Sequence, residues 1–149
     1  MKVVEDLALA EPNKKTAAPY VALQGLFSGK EETREKALVF ARKAVERNEN
    51  DPLALVSLSA LYGQKGDLDS VIELLSKHEA KMVTDVRLAN NYFEALFQKR
   101  QLDRVTKLLN ALAGSSNREV KQFAIERSRA VAQYLQQQQR ELAGAQRRA

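Results

Sequence analysis

Asp67-Leu68-Asp69-Ser70-Val71-Ile72-Glu73-Leu74-Leu75 decides the architecture of this chain, because it returns 34 residues later as Gln101-Leu102-Asp103-Arg104-Val105-Thr106-Lys107-Leu108-Leu109. Five of the nine positions are identical, and the same shift lays Gln64-Lys65 over Gln98-Lys99. The shared apolar positions 68, 71, 74 and 75 are three or four residues apart, the spacing of one face of a helix. A period of 34 holds two helices and two short loops. One such pair cannot bury its apolar face alone, so stacking of successive pairs must supply the core.

The same three-and-four spacing runs outward through almost the whole chain, and no stretch alternates as a strand would. The breaks are regular. Ser28-Gly29 is a loop. Asn48-Glu49-Asn50-Asp51-Pro52 is a stop followed by a start, with Asp51 as N-cap and Pro52 in the first turn. Gly66-Asp67 is a tight turn, and Thr84-Asp85 is another helix start. Gly114 is expected to end its helix in the left-handed conformation. Ser116-Asn117-Arg118-Glu119 reads as a capping box. These signals predict helices over 18–28, 31–47, 52–65, 67–80, 85–99, 101–113 and 117–140. Their short connections make neighbours antiparallel.

Leu58-Ser59, Tyr62 and Gly66-Asp67 resemble the Leu-small, Tyr, Gly-Asp series of tetratricopeptide repeats. Gly25, Ala37-Leu38 and Lys43-Ala44 resemble the same signature in the preceding unit. The resemblance covers roughly 100 residues as three units at about 18–51, 52–85 and 86–119. It implies an all-α, right-handed superhelical stack of antiparallel helix pairs, an α-solenoid, closed by a long C-terminal capping helix over 117–149. Residues 1–17 are expected to form a partial repeat or an N-terminal capping helix, which makes the chain part of a longer array in the first case. Gln24, Phe93, Val71 and Val105 depart from the pattern. Phe93 stands where a small residue is usual, so the third unit is expected to pack its helices at wider spacing.

Composition narrows the chemistry. The chain has no Cys and a single His78, so it has no disulfide or thiolate metal site, and nucleophile–base pairs have few possible members. His78 is expected as a partly exposed residue of a second helix. No Gly-rich phosphate loop or nucleophile elbow occurs. The expectation is a protein that is not an enzyme and uses no cofactor or metal. No apolar run reaches membrane-spanning length, and Glu5-Asp6 stand where a signal peptide is apolar, so a cytoplasmic location is expected. Of the net charge of +5, the segment from Arg118 carries seven Lys/Arg against three Glu, or +4. Electrostatic attraction therefore belongs to that end.

The resemblance also implies a concave groove lined by the first helix of each pair. Its expected lining is Ala22 and Leu26, then Leu53, Val56 and Ala60, then Arg87, Asn90, Glu94 and Phe97. The first two units offer an apolar trough, and the third adds charge beside an exposed aromatic. Such a trough suits a helical or extended apolar segment of a partner protein, in a scaffold that forms part of a larger complex. On this reading Val56→Asp weakens the partner and leaves the fold intact. The chain's own N-terminal segment or last helix is the competing occupant, which would make the stack purely architectural. The carboxylate clamp for heat-shock chaperones would fall on Ala22, Leu26, Ser57, Arg87 and Asn91. Only Arg87 keeps a comparable charge, so that partner is not expected. The alternative function is a ribonucleoprotein subunit touching RNA through Arg127, Arg129, Arg140, Arg147 and Arg148.

Overall fold

The computed structural model describes residues 33–148. The expected first helix (18–28) and the 1–17 segment lie outside the described residues. Seven helices follow in order: α1 Arg34–Arg47, α2 Pro52–Gln64, α3 Leu68–Ser76, α4 Glu79–Met82, α5 Val86–Gln98, α6 Leu102–Ala113 and α7 Arg118–Arg148. There is no strand among the described residues.

The starts follow local chemistry. The Asp51 carboxylate accepts the Leu53 N–H at 3.0 Å and the Asp85 carboxylate accepts the Arg87 N–H at 3.0 Å. Both satisfy donors that the first turn of a helix leaves without a partner. Asp67 does the same for α3 through the Ser70 N–H at 3.2 Å. The start of α7 differs from the capping box: Asn117, not Ser116, is the cap, accepting from Glu119 and Val120 at 3.0 and 3.2 Å. Ser115 Oγ accepts the Asn117 N–H and donates to the Val83 carbonyl, which tethers this turn to the loop after α4.

Three further expectations are corrected. The helix over 67–80 breaks at Lys77-His78, so that His78 is half-buried between α3 and α4. The break lets Met82 become fully buried and sets Glu79 against the Tyr92 hydroxyl, which donates to it at 2.7 Å. Gly114 has φ −84° and is not left-handed. The last helix also runs past 140 to Arg148.

The 34-residue period of the sequence recurs in space. Gly66 and its counterpart Arg100 both lie in the left-handed region, at φ 75° and 60°. The following amides close the same wide turn, Asp67 N–H to Tyr62 C=O and Gln101 N–H to Leu96 C=O, each 2.9 Å. Lys65 pairs with Glu35 at 2.8 Å, and 34 residues on Lys99 pairs with Asp69 at 3.2 Å. Lys81 donates to the Asn50 carbonyl, and the next equivalent loop sends Asn117 to the Thr84 carbonyl.

Burial explains how the helices sit. Apolar residues cover most of the circumference of α2. Its Ala54, Leu58 and Leu61 pack with Ala37, Leu38, Phe40 and Ala41 of α1, while Leu55 joins the second cluster through α3 and α5. α5 is the hub, packing against α2, α3, α4, α6 and α7. Val71 and Val105, unusual for the resemblance, are buried at equivalent places. Phe93 is accommodated because its ring stacks on Phe97 (centroids 5.7 Å) and meets Phe123 of α7 edge-on (5.8 Å).

Gly66 gives a direct test of the turn. A Cβ there would meet nothing within 4 Å, so substitution costs only the left-handed backbone. Gly66→Ala is expected to lower unfolding free energy by about 1 kcal/mol in urea denaturation. An unchanged midpoint would refute the assignment.

Candidate binding groove

Parallel placement of α2 and α5 creates the candidate site. Asn91 Nδ2 donates to Ser59 Oγ at 2.9 Å, and Ser59 donates in turn to the Val56 carbonyl at 3.1 Å. These bonds satisfy the hydroxyl of Ser59, which is buried. They also fix the register between the two helices. Beside them lies a cleft of about 330 Å³ lined by Ala60, Gly63, Gln64, Asn91, Glu94 and Gln98, among others. Its floor is small because Ser59, Ala60, Gly63 and Ala95 carry almost no side chain, and its walls are amides, one carboxylate and the apolar Leu68 and Val71 of α3.

The expected lining residues divide. Leu53 is exposed at 45%, a large apolar side chain left to solvent at the first turn of α2. Ala60 and Glu94 line the cleft itself. Val56 is half-buried and packs against the main cluster, so the expected tolerance of Val56→Asp is corrected: a charge there faces the core. Phe97 is not the free aromatic expected. Tyr134 of α7 covers it edge-on at 5.2 Å, with Phe93 stacked on its other side. Ala22 and Leu26 lie outside the described residues.

The charged positions are mostly engaged within the chain. Arg87 pairs with Asp85 at 3.0 Å. Burial pushes the Asp85 carboxyl up, but hydrogen bonds from the Arg87 guanidinium and from the Arg87 and Leu88 amides outweigh it and hold it below its ordinary value. Arg127 is half-buried and no free basic contact. Its guanidinium sits over Phe93 and Phe123 at 5.5 and 5.3 Å, donates to Asn90 at 3.4 Å and approaches Glu94 at 3.8 Å. Asn91 is committed to Ser59, and Ser57 is half-buried. By contrast Arg129, Arg140, Arg147 and Arg148 are exposed.

Gly63, Gln64 and Gln98 line the cleft although periodicity alone does not single them out. Gln64 and Gln98 were visible as part of the repeat, but only as markers of register. Their place at the end of the Ala60/Glu94 face, four residues along the same helices, was the available signal.

On the opposite side of α5, Tyr92 is 1% exposed, donates to Glu79 and accepts from Arg104 at 2.8 Å. A smaller cavity of about 140 Å³ adjoins this cluster between α4 and α6. Among the described residues no group of three or more His, Asp or Glu could hold a metal ion, and no helix is long and apolar enough to cross a membrane. No protein-family model matches the chain, and no curated protein or solved structure shows significant similarity to it.

Proposed function

We propose that this chain is a tetratricopeptide-like scaffold that holds an apolar helical or extended segment of a partner protein across the α2–α5 face. The α-solenoid reading is supported by the recurrence of caps, left-handed turns and interhelix ion pairs at the 34-residue interval. The binding reading is carried by one observation: exposed Leu53 stands on the same helix as the small-floored Ala60–Gly63 cleft. A partner's apolar side chain set on Leu53 and extending to the cleft would find main-chain hydrogen-bonding partners in Gln64, Glu94 and Gln98. Arg127 and Tyr134 close the third-unit end of the groove from within the chain, so the open portion is the part formed by α2 and the facing side of α5.

The test is selection of peptides from a displayed random library against the whole chain, followed by titration of those recovered. Leu53→Asp is expected to weaken binding of the selected peptides at least tenfold, about 1.4 kcal/mol, with an unchanged unfolding midpoint. Peptides that bind the variant as tightly as the parent would place the contact elsewhere and sink the groove reading.

A further inference from the structure

The solvent face of α7 carries an arrangement that neither the groove nor the core uses. α7 packs through Val120, Phe123, Ala124 and Val131. Arg118, Arg129 and Arg140 recur at eleven-residue intervals, and Arg147 follows seven later. Eleven residues make about three turns with 20° left over, and seven make about two turns less 20°. The four arginines therefore form one ridge, opposite the packed side, and all four are exposed.

No acid stands in the ridge itself. The residues four before or after each arginine within the helix are Gln122, Ile125, Gln133, Gln136, Ala143 and Gly144, and of those three away only Glu126, before Arg129, is a carboxylate; it forms no ion pair with that arginine. The three carboxylates of α7 lie about 60–100° around the helix. Two of them are taken by glutamines, Glu126 by Gln122 at 2.9 Å and Glu141 by Gln137 at 3.0 Å. None of the four ridge arginines meets a carboxylate, and what sets them apart from other unpaired cations is their alignment on one helix face. An unpaired row of guanidiniums on a rigid helix is complementary to a regular polyanion.

Spacing selects the polyanion. Arg118 and Arg140 are 22 residues apart, which is about 33 Å along the helix. One turn of B-form DNA is about 34–36 Å. With α7 lying along the duplex axis, Arg118 and Arg140 meet the same strand's phosphates one turn apart, and Arg129, halfway, meets the intervening row. The ridge has no aromatic on which an unpaired base could stack, since Tyr134 is packed on Phe97. The exposed large apolar side chains of α7 are Ile125, Leu135 and Leu142, and only Ile125 lies beside the ridge, which is too little apolar surface to enter a lipid layer. We propose that the arginine ridge of α7 binds the backbone of duplex DNA without regard to sequence.

The test is fluorescence polarisation of the whole chain with a labelled random-sequence duplex of about three turns, between low and physiological salt. Micromolar or weaker affinity is expected at low salt. Log K should fall with log salt at a slope of about −3 to −4, for roughly four phosphates neutralised. Arg129→Gln together with Arg140→Gln should weaken binding and reduce that slope by about 2, while Lys107→Gln on α6 leaves both unchanged. Both changes are at exposed sites, and circular dichroism verifies that helicity is kept. A double variant with the parent's slope, no binding at low salt, or binding to duplex RNA or anionic vesicles as tight as to DNA would each overturn the proposal.

Discussion

Phe93→Ser lowers the unfolding free energy by about 3–5 kcal/mol, the usual cost of emptying a buried aromatic site. The ring is 3% exposed and is the central piece of a stack that runs from Phe97 to Phe123, with Arg127 over both Phe93 and Phe123. Serine is the residue at the equivalent place of the preceding unit, Ser59, where Asn91 fills the space and completes the hydrogen bonding. At position 93 nothing replaces the ring, because the facing groups of α7 are themselves shaped around it. The new hydroxyl can donate to the Asn90 carbonyl, three residues back, as Ser59 does to Val56, so the loss is that of the ring and not of an unsatisfied polar atom. Urea denaturation read by circular dichroism measures it. Phe93→Leu, which keeps most of the volume, should recover more than half. A cost for Phe93→Ser below about 1 kcal/mol would mean that α7 is not held by this stack.

Alkaline pH should loosen the middle of the molecule. Burial pushes the Tyr92 hydroxyl up to about 12, helped by the hydrogen bond to Glu79 and the charge of that carboxylate, while Arg104 pulls the other way. The unfolded chain releases the tyrosine proton near pH 10. Between pH 10 and 12 the unfolded state therefore binds fewer protons than the folded one, and stability falls as pH rises through that window. Below pH 10 the contribution is fully present. Two units set a ceiling near 2.7 kcal/mol, and solvent screening at the outer edge of the cluster brings it to on the order of 1–2 kcal/mol. Denaturation midpoints at pH 9 and 11.5, compared between the parent and Tyr92→Phe, test this. The parent should lose more stability than the variant across the interval, and equal losses would sink the assignment.

Much of the fold was legible because its signals are local. Asp51 with Pro52, Asp67 and Asp85 announce helix starts through side chains that reach only two or three residues along the chain. The left-handed turn was legible at Gly66 but not at Arg100, where closure by the Gln101 amide holds an arginine in a conformation its own chemistry disfavours. The break at His78 was illegible for a similar reason. Nothing in Ser76-Lys77-His78-Glu79 stops a helix, and the interruption is set by Tyr92 and by the burial of Met82.

The groove was legible as a set of helix faces and not as a surface. Periodicity places Val56, Phe97 and Arg127 on a side of their helices but says nothing of which residue from another helix stands opposite. Val56 faces the core, Tyr134 reaches Phe97 from 37 residues away, and Arg127 reaches Asn90 from the same separation. By itself, then, the amino-acid sequence determined a helical pattern with a 34-residue period and the helix starts at Asp51, Asp67 and Asp85, since these follow from spacing along the backbone, whereas the row of arginines emerges only because the last helix continues to Arg148. Only the tertiary structure decided which of those side chains are free to meet a partner. Exposure and pairing depend on long-range packing that brings α2, α5 and α7 together, and that packing occupies Phe97 and Arg127 while leaving Leu53 and the ridge from Arg118 to Arg147 in solvent.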